Sequence, residues 1–346
     1  VAACAAPLLP SAADVQLQQP PECPARSSAP GDPEGPLQGL LSHRLFQSPA
    51  VAVAAQLPRT NATGPFVTIS YYKTGCIVGR QLHWAILGYE LADYYANVHM
   101  CDYVNGSYGD ERFSAGVYWN LPLEWKDVPL RRSYHVEFPS TTWKLPPQAR
   151  TVHWVRDPLK QLVSAYRYNM NRSMESEIPE MYLVTEAKCG WCDILSHHAI
   201  FELCNFTCAY TGLLNSLPPE SGILVEAIHQ SAVLQTMTRN VERWANNPDM
   251  LFLSNEHLRL DFNGTMRCLL DFAGLERPGL MDTLQLLDVG VHPTSHSTAG
   301  LYNNTELLRQ LGALPSLAKP LAALRAVLAA IYERQARDYG CPVPAL

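Results

Sequence analysis

The residues best suited to chemistry are a lysine, a threonine and a glycine that stand together after a short β-rich run. Lys73, Thr74 and Gly75 follow residues 66–70, and apolar residues at helical spacing come next. Backbone N–H groups at the start of a helix favour an anion, glycine lets an anion approach closely, and lysine adds a mobile positive charge. The full G-x-x-x-x-G-K-[ST] pattern is absent, so an ordinary ATP or GTP P-loop is not supported. The segment predicts an anion site, although a plain strand-to-helix turn would have the same sequence.

A second set of polar residues follows the run 150–155. Arg156 comes first, Asp157 is a good N-cap, Pro158 suits a first helical turn, and Ser164 lies eight residues after the arginine. Two helical turns bring the serine hydroxyl back toward the strand end. A guanidinium fork with a hydroxyl makes a good phosphate site. The alternative is a surface ion pair for Arg156 and an ordinary helical position for Ser164.

The elements that must position these residues alternate between strand and helix. Strands are predicted at 66–70, 150–155 and 250–254, and helices after 77, after 157, at 265–272 and at 317–337. This alternation predicts an α/β fold, with a central parallel sheet flanked by helices. Ligands of such sheets bind beyond the carboxyl ends of the strands.

These motifs resemble those of the sulfotransferase superfamily. Lys73-Thr74-Gly75 matches its lysine–serine/threonine–glycine loop, and Arg156 with Ser164 matches its 3′-phosphate motif. A third block, residues 253–275, is similar to the family's tyrosine–glutamate–aspartate–leucine strand end and to the helix that closes with phenylalanine-x-glycine-leucine. The resemblance covers about residues 65–280, and the order and separation of the blocks match.

The resemblance implies a P-loop-like nucleotide site and transfer of a sulfuryl group from 3′-phosphoadenosine 5′-phosphosulfate (PAPS) to a hydroxyl, without a metal. It implies that Lys73 stabilises charge on the leaving phosphate and that Arg156 and Ser164 bind the 3′-phosphate. It also assigns the 5′-phosphosulfate to a run of neighbouring residues: Thr74, Gly75, Cys76 and Ile77.

Some positions depart from the family pattern. Cys76 and Ile77 stand where the family has threonine or serine, Val78 replaces a tryptophan of many cytosolic members, and no arginine–lysine–glycine motif occurs near the C-terminus. These departures favour one rival hypothesis, a catalytically inactive glycan-binding relative. A nucleotide-dependent kinase is the second rival, and against it stands the absence of an evident acidic magnesium motif.

The general base is predicted to be His135, because an imidazole titrates near neutral pH and can take the acceptor's proton. It lies 21 residues before Arg156 and just after an expected strand, a place similar to that of the base histidine in cytosolic sulfotransferases. Glu137, His83 and Glu90 are competing candidates. A histidine that only packs at a strand end is the structural alternative.

Composition restricts the partners and the compartment. The net charge of −6 disfavours nucleic acid, whose binders are usually basic. Ten cysteines and six Asn-X-Ser/Thr sequons favour an oxidising lumen, so we expect a Golgi, secretory-pathway protein. The resemblance implies a glycan as the acceptor, because luminal sulfotransferases mostly modify glycans, and it leaves tyrosine and lipid acceptors open. The sequons begin at Asn61, Asn105, Asn171, Asn205, Asn263 and Asn303.

The chain is predicted to begin with a linker. Residues 1–40 are rich in Pro, Ala and Ser and are predicted to be a disordered stem, with 1–13 as a remnant of a signal or membrane anchor and 41–346 as the sulfotransferase domain. Residues 171–225 are predicted to be a cysteine-rich helical insertion that acts as a lid. Disulfides are favoured there over a zinc site or a redox pair, for the cysteines Cys189, Cys192, Cys204 and Cys208.

Overall fold

The computed structural model describes a large part of the chain. The described residues are 48–58, 64, 66–71, 74, 78–79, 82, 107–108, 115–119, 133–137, 144–145, 148–170, 200, 210–275, 279–285, 287–288 and 305–345. The predicted stem at 1–40, the cysteines at 189–208 and every sequon asparagine except Asn263 lie outside them.

The described strands form one sheet of six, in the order β2-β3-β4-β1-β5-β6. All neighbours pair in parallel except β2 with β3, which are antiparallel. This sheet, with helices packed on it, confirms the predicted α/β fold with a central parallel sheet flanked by helices. The bounds of the strands are β1 Phe66–Ser70, β2 Ser107–Tyr108, β3 Ala115–Trp119, β4 Ser133–Glu137, β5 Arg150–Trp154 and β6 Met250–Leu253.

The helices with defined bounds follow β5 and β6, and Val78, Gly79 and Leu82, which come after β1, are also helical, as predicted for the segment after 77. In the part of the chain that is described, no single helix is long and apolar enough to cross a membrane, but the segments Thr305–Ala313 and Leu317–Tyr339 pass that test together as a pair bent by 107°. The bounds are α1 Pro158–Asn169, α2 Tyr210–Ser216, α3 Pro219–His229, α4 Ser231–Trp244, α5 Asn255–Leu260, α6 Phe262–Ala273, α7 Leu280–Gln285, α8 Thr305–Ala313 and α9 Pro315–Tyr339.

Alternate residues of the strands supply two separate apolar cores, one on each face of the sheet. Val67 and Phe252 belong to a core shared with α1 to α4, α8 and α9. Val152, Trp154 and Leu253 belong to a core shared with α5, α6 and α7. Because successive side chains of a strand point to opposite faces, strands covered on both sides read as continuous apolar runs, which is why β1, β5 and β6 were predictable.

The termini of two helices confirm their sequence signals. The Asp157 carboxylate caps α1 by accepting from the backbone N–H groups of Leu159 and Lys160, and Pro158 occupies the first turn. Helix α6 ends at Gly274, whose φ of 65° places it in the left-handed region that favours glycine.

Several elements differ from the sequence expectations. His135 lies inside β4 rather than just after a strand, because the alternation of polar and apolar residues that is typical of a strand runs through Ser133–Glu137 itself. Helix α2 and the first part of α3 fall within the predicted insertion at 171–225, and both helices contribute to the core shared with α1. The extent of the insertion and its role as a lid stay predictions.

Ordered contacts begin at residue 50, inside the predicted 41–346 domain. Residues 50–55 lie along α4 and α9, and side chains hold their backbone. Asn246 donates to Ala52 O and accepts from Ala54 N, and the largely buried Arg334 donates to Ala54 O. The folded domain therefore includes this segment.

Candidate functional site

The candidate site lies beyond the carboxyl ends of β1 and β5. These strands are neighbours, with Ile69 opposite His153. Among the described strands, β2 is the next one after β1 and lies on one side of the β1–β5 pair, whereas β6 is the next one after β5 and lies on the other side. Connections that diverge from adjacent strands open a crevice at their carboxyl ends, where open α/β sheets bind ligands. The segments that carry Thr74 and Arg156 flank this crevice.

The segment after β1, residues 71–77, is called the β1 loop. The buried Thr74 hydroxyl accepts from Tyr71 N at 2.7 Å and donates to Tyr71 O at 3.0 Å. Thr74 N also donates to Tyr71 O, at 3.1 Å. Both donors of Thr74 therefore bind within the turn, and a contact of Thr74 with a 5′-phosphosulfate would have to displace them. Four predicted site residues of this loop lie outside the described residues: Lys73, Gly75, Cys76 and Ile77.

The β1 loop is anchored in the core by the side chain of Tyr71. Its hydroxyl accepts from Asn240 Nδ2 at 2.7 Å and lies 3.2 Å from His153 Nε2. Complete burial raises the pKa of Tyr71 well above its usual value and lowers the pKa of His153 to about 3. At neutral pH both groups are uncharged, which suits a site with aromatic neighbours such as Trp244.

The segment after β5, residues 155–157, is called the β5 loop. Val155 N donates to Leu253 O at 2.8 Å, so the loop leaves the sheet beside β6. Asp157 caps α1 and also pairs with the guanidinium of Arg325 on α9. An ion pair to a distant helix therefore fixes the point at which the chain turns into α1.

Arg156 is held at the same edge of the sheet. Only 8% of the residue is exposed, and its Nε donates to Glu256 Oε1 at 3.2 Å. This contact matches the ion pair of the structural alternative, but the pair is largely buried rather than on the surface. Ser164 lies in the second turn of α1 and is also nearly buried. The phosphate role of Arg156 and Ser164 stays a prediction.

The two candidate bases in the sheet differ in depth. Glu137 is the last residue of β4 and lies opposite Ser70, the last residue of β1. His135 lies opposite Thr68, two residues further from the carboxyl edge, roughly 7 Å along the strand. The register therefore places Glu137 nearer than His135 to the carboxyl edge of the sheet, where the candidate site lies. His83 and Glu90 lie outside the described residues.

Within the described ranges, no group of three or more His, Cys, Asp or Glu side chains could hold a metal ion. The predicted cysteine cluster at 189–208 falls outside those ranges, so its choice between disulfides and zinc stays a prediction.

Comparison with known proteins gives one distant likeness. No protein-family profile matches the chain, and no curated protein matches its sequence. The crystal structure of mouse sulfotransferase SULT7A1 complexed with PAP is similar, with 14% identity over 87% of this chain and 90% of that one, and with a TM-score of 0.30. A TM-score this low adds no support, so the α/β fold rests on the strand order and register seen here, and the similarity to sulfotransferases rests on the motifs.

Proposed function

We propose that the chain is a sulfotransferase that moves a sulfuryl group from PAPS to a hydroxyl acceptor. The supporting observation is that two anion-binding motifs, far apart in sequence, follow adjacent strands at one carboxyl edge. The β1 loop carries Thr74 of the Lys73-Thr74-Gly75 motif, and the β5 loop carries Arg156. A nucleotide with phosphates at both its 5′ and 3′ positions is the ligand that such a pair of sites would bind together.

The proposed chemistry is in-line transfer with electrostatic stabilisation of the transferred group. Lys73 would neutralise charge that develops on the leaving phosphate. Because Thr74 uses both its donors within the turn, it would shape the β1 loop, while the amides of Gly75, Cys76 and Ile77 would hold the 5′-phosphosulfate.

The acceptor must lose a proton during transfer, and a base that removes it adds roughly 10²–10⁴-fold to the rate. We place Glu137 ahead of His135 because Glu137 stands at the carboxyl edge of β4. Glu137→Gln should then abolish transfer with nucleotide binding intact, and His135→Ala should retain measurable turnover. The reverse pattern would make His135 the base.

The donor assignment is tested by the contribution of the 3′-phosphate to binding. Arg156→Ala should weaken the binding of 3′-phosphoadenosine 5′-phosphate roughly 10- to 150-fold, because a charge-assisted hydrogen bond to the 3′-phosphate is lost. Adenosine 5′-phosphate, which lacks the 3′-phosphate, should bind almost as before. Titration calorimetry measures both, and Arg309→Ala, which removes an exposed cation of α8, is the control.

Two results would contradict the assignment. Equal losses for both nucleotides would remove the 3′-phosphate role of Arg156. Preferential binding of ATP would favour a kinase. Transfer of labelled sulfate to a panel of glycans, peptides and lipids then identifies the acceptor, and nucleotide binding without transfer would favour the inactive glycan-binding relative.

We further propose a luminal, Golgi location with a membrane anchor in the full-length protein and a glycan acceptor. A disulfide between Cys268 and Cys341 and the exposed Asn263 sequon on α6 support the luminal part of this proposal. Mass spectrometry of unreduced peptides from the full-length protein, expressed in cells with a secretory pathway, should find Cys268 joined to Cys341, and the four cysteines at 189–208 linked in pairs. Free thiols at all these positions, with no glycan on any sequon, would contradict a luminal location.

A further inference from the structure

One ion pair joins the two strand ends nearest the proposed 3′-phosphate site. Arg156 Nε donates to Glu256 Oε1 at 3.2 Å, and the two side chains are only 10% and 12% exposed. The residues are 100 positions apart, but β5 and β6 are adjacent, with Trp154 opposite Leu253. The adjacency of β5 and β6 in the sheet therefore brings the Glu256 carboxylate next to the Arg156 guanidinium.

Glu256 lies in the first turn of α5, whose backbone is held by hydrogen bonds and by a ring contact. Ser254 caps this short helix reciprocally with His257: Ser254 Oγ accepts from His257 N, and His257 Nδ1 accepts from Ser254 N. Thr265 Oγ1 donates to His257 O at 3.0 Å, and the buried Tyr332 ring packs edge-on against the imidazole at 4.4 Å. The backbone that carries Glu256 is thus fixed from three sides.

A fixed carboxylate can affect a neighbouring anion site in two opposite ways. It can orient the arginine, whose long side chain otherwise loses rotamer freedom when it grips a ligand. It can also repel the bound anion. The contact to Nε engages one edge of the guanidinium and sets the plane of the whole group, because all its N–H donors lie in that plane.

We propose that Glu256 is a positioning residue for the 3′-phosphate of the donor: it holds Arg156 in the orientation that binds this phosphate. The proposal rests on the proposed function and deepens it, because it assigns discrimination between donors with and without a 3′-phosphate to a pair of residues. It predicts that the affinity gained because Glu256 orients Arg156 exceeds the affinity lost because the Glu256 carboxylate repels the phosphate.

The experiment compares three Glu256 variants with two nucleotides, 3′-phosphoadenosine 5′-phosphate and adenosine 5′-phosphate. Glu256→Ala removes the acceptor of the Arg156 Nε–H. We expect this variant to bind 3′-phosphoadenosine 5′-phosphate about tenfold more weakly than the wild type, with almost no change in its affinity for adenosine 5′-phosphate. Glu256→Gln keeps an acceptor oxygen without the charge, so it should restore affinity to the wild-type level or better. Glu256→Asp keeps the charge but withdraws the carboxylate by one methylene, so it should behave like Glu256→Ala.

Two controls isolate the pair. In an Arg156→Ala background, Glu256→Ala should cause no additional loss, since the group it positions is gone. Glu306→Ala removes a carboxylate from the exposed Glu306–Arg309 pair of α8 and should leave both affinities unchanged.

Each other outcome contradicts the proposal in a recognisable way. Tighter binding by Glu256→Ala would make Glu256 a competitor of the phosphate. Equal losses for both nucleotides, with no rescue by Glu256→Gln, would reduce Glu256 to a structural tether. If the wild-type protein itself shows no preference for the 3′-phosphorylated nucleotide, the proposed function fails first and the positioning role fails with it.

Discussion

The β1 loop and the β5 loop face the same crevice but are stabilised in different ways. In the β1 loop, the hydrogen bonds of Thr74 close a ring with Tyr71, three residues away, and no charge takes part in them. In the β5 loop, Arg156 and Asp157 pair with Glu256 and Arg325, which lie 100 and 168 residues further along the chain. The hydrogen bonds of Thr74 are thus local and neutral, whereas the β5 loop depends on charges brought by the fold.

This difference should appear in how each loop responds to mutation and salt. Hydrogen bonds between neutral, buried groups are little affected by ionic strength, whereas an ion pair with a partly exposed partner is screened. Arg325 is 35% exposed although the side chain of Asp157 is fully buried. Salt should therefore weaken the support of the β5 loop and leave the β1 loop unchanged.

The largest effect is expected from Asp157→Ala. The substitution removes the cap of α1 and leaves Arg325 without its carboxylate, and together these should cost about 3 kcal/mol of unfolding free energy. Urea denaturation measures the loss, because urea leaves the ionic strength free to vary. In about 1 M NaCl the difference from wild type should shrink, since screening already weakens the pair in the wild-type protein.

Asp157→Asn is the matched control, because asparagine is also a good N-cap and lacks only the charge. Its stability should fall between that of wild type and that of Asp157→Ala. If Asp157→Asn is as stable as wild type at low salt, the pair with Arg325 contributes nothing, and the two loops differ less than proposed.

The next effect concerns the β1 loop. Thr74→Val keeps the shape of the side chain but removes the hydroxyl that bridges Tyr71 N and Tyr71 O, and it should cost about 2 kcal/mol because the site is buried. Thr74→Ser retains the hydroxyl and should lose much less. The same urea titration, repeated at high salt, should give an unchanged difference. A salt-dependent loss would show that charges also support this loop.

The sequence predicted the elements whose determinants are local. Strand β1 has exactly the predicted bounds, since all five residues of its short run are buried. The cap of α1 by Asp157 and the end of α6 at Gly274 follow from residue preferences within one turn. The sequence also predicted that both motifs lie at one edge of the sheet, because parallel strands place their carboxyl ends together, but the adjacency of β1 and β5 comes from the structure.

The sequence did not predict contacts that depend on distant partners. Glu256 was visible in the third motif, but its contact with Arg156 requires β6 to lie beside β5. Helix α5 was missed because it has only six residues and its capping box uses His257 in place of the usual glutamate or glutamine. The Cys268–Cys341 bridge was missed because cysteine connectivity does not follow from spacing.

The smallest predicted effect is a pH dependence of stability, which a buried histidine near the β1 loop and another near the β5 loop should both produce. His153 contacts Tyr71 of the β1 loop. His257 supports the turn that carries Glu256, the partner of Arg156 in the β5 loop. Burial lowers the pKa of each to about 3. An unfolded histidine titrates near 6.5, so between about pH 6.5 and pH 3 the unfolded chain binds more protons than the folded one. The stability that these neutral histidines confer is therefore complete above pH 6.5 and is lost as the pH falls toward 3.

From pH 7 to pH 6 this linkage should cost about 0.7 kcal/mol of unfolding free energy per histidine. His153→Phe keeps an aromatic ring beside Trp244 and Phe252, and His257→Asn keeps an acceptor for Ser254 N. Each variant should show a fall in stability over this interval that is smaller than the wild-type fall by that amount, measured by urea denaturation at both pH values. Because the other histidines are common to all three proteins, their contributions cancel in the comparison. If only one variant changes the pH dependence, the two regions differ in their buried histidines as well as in their ion pairs.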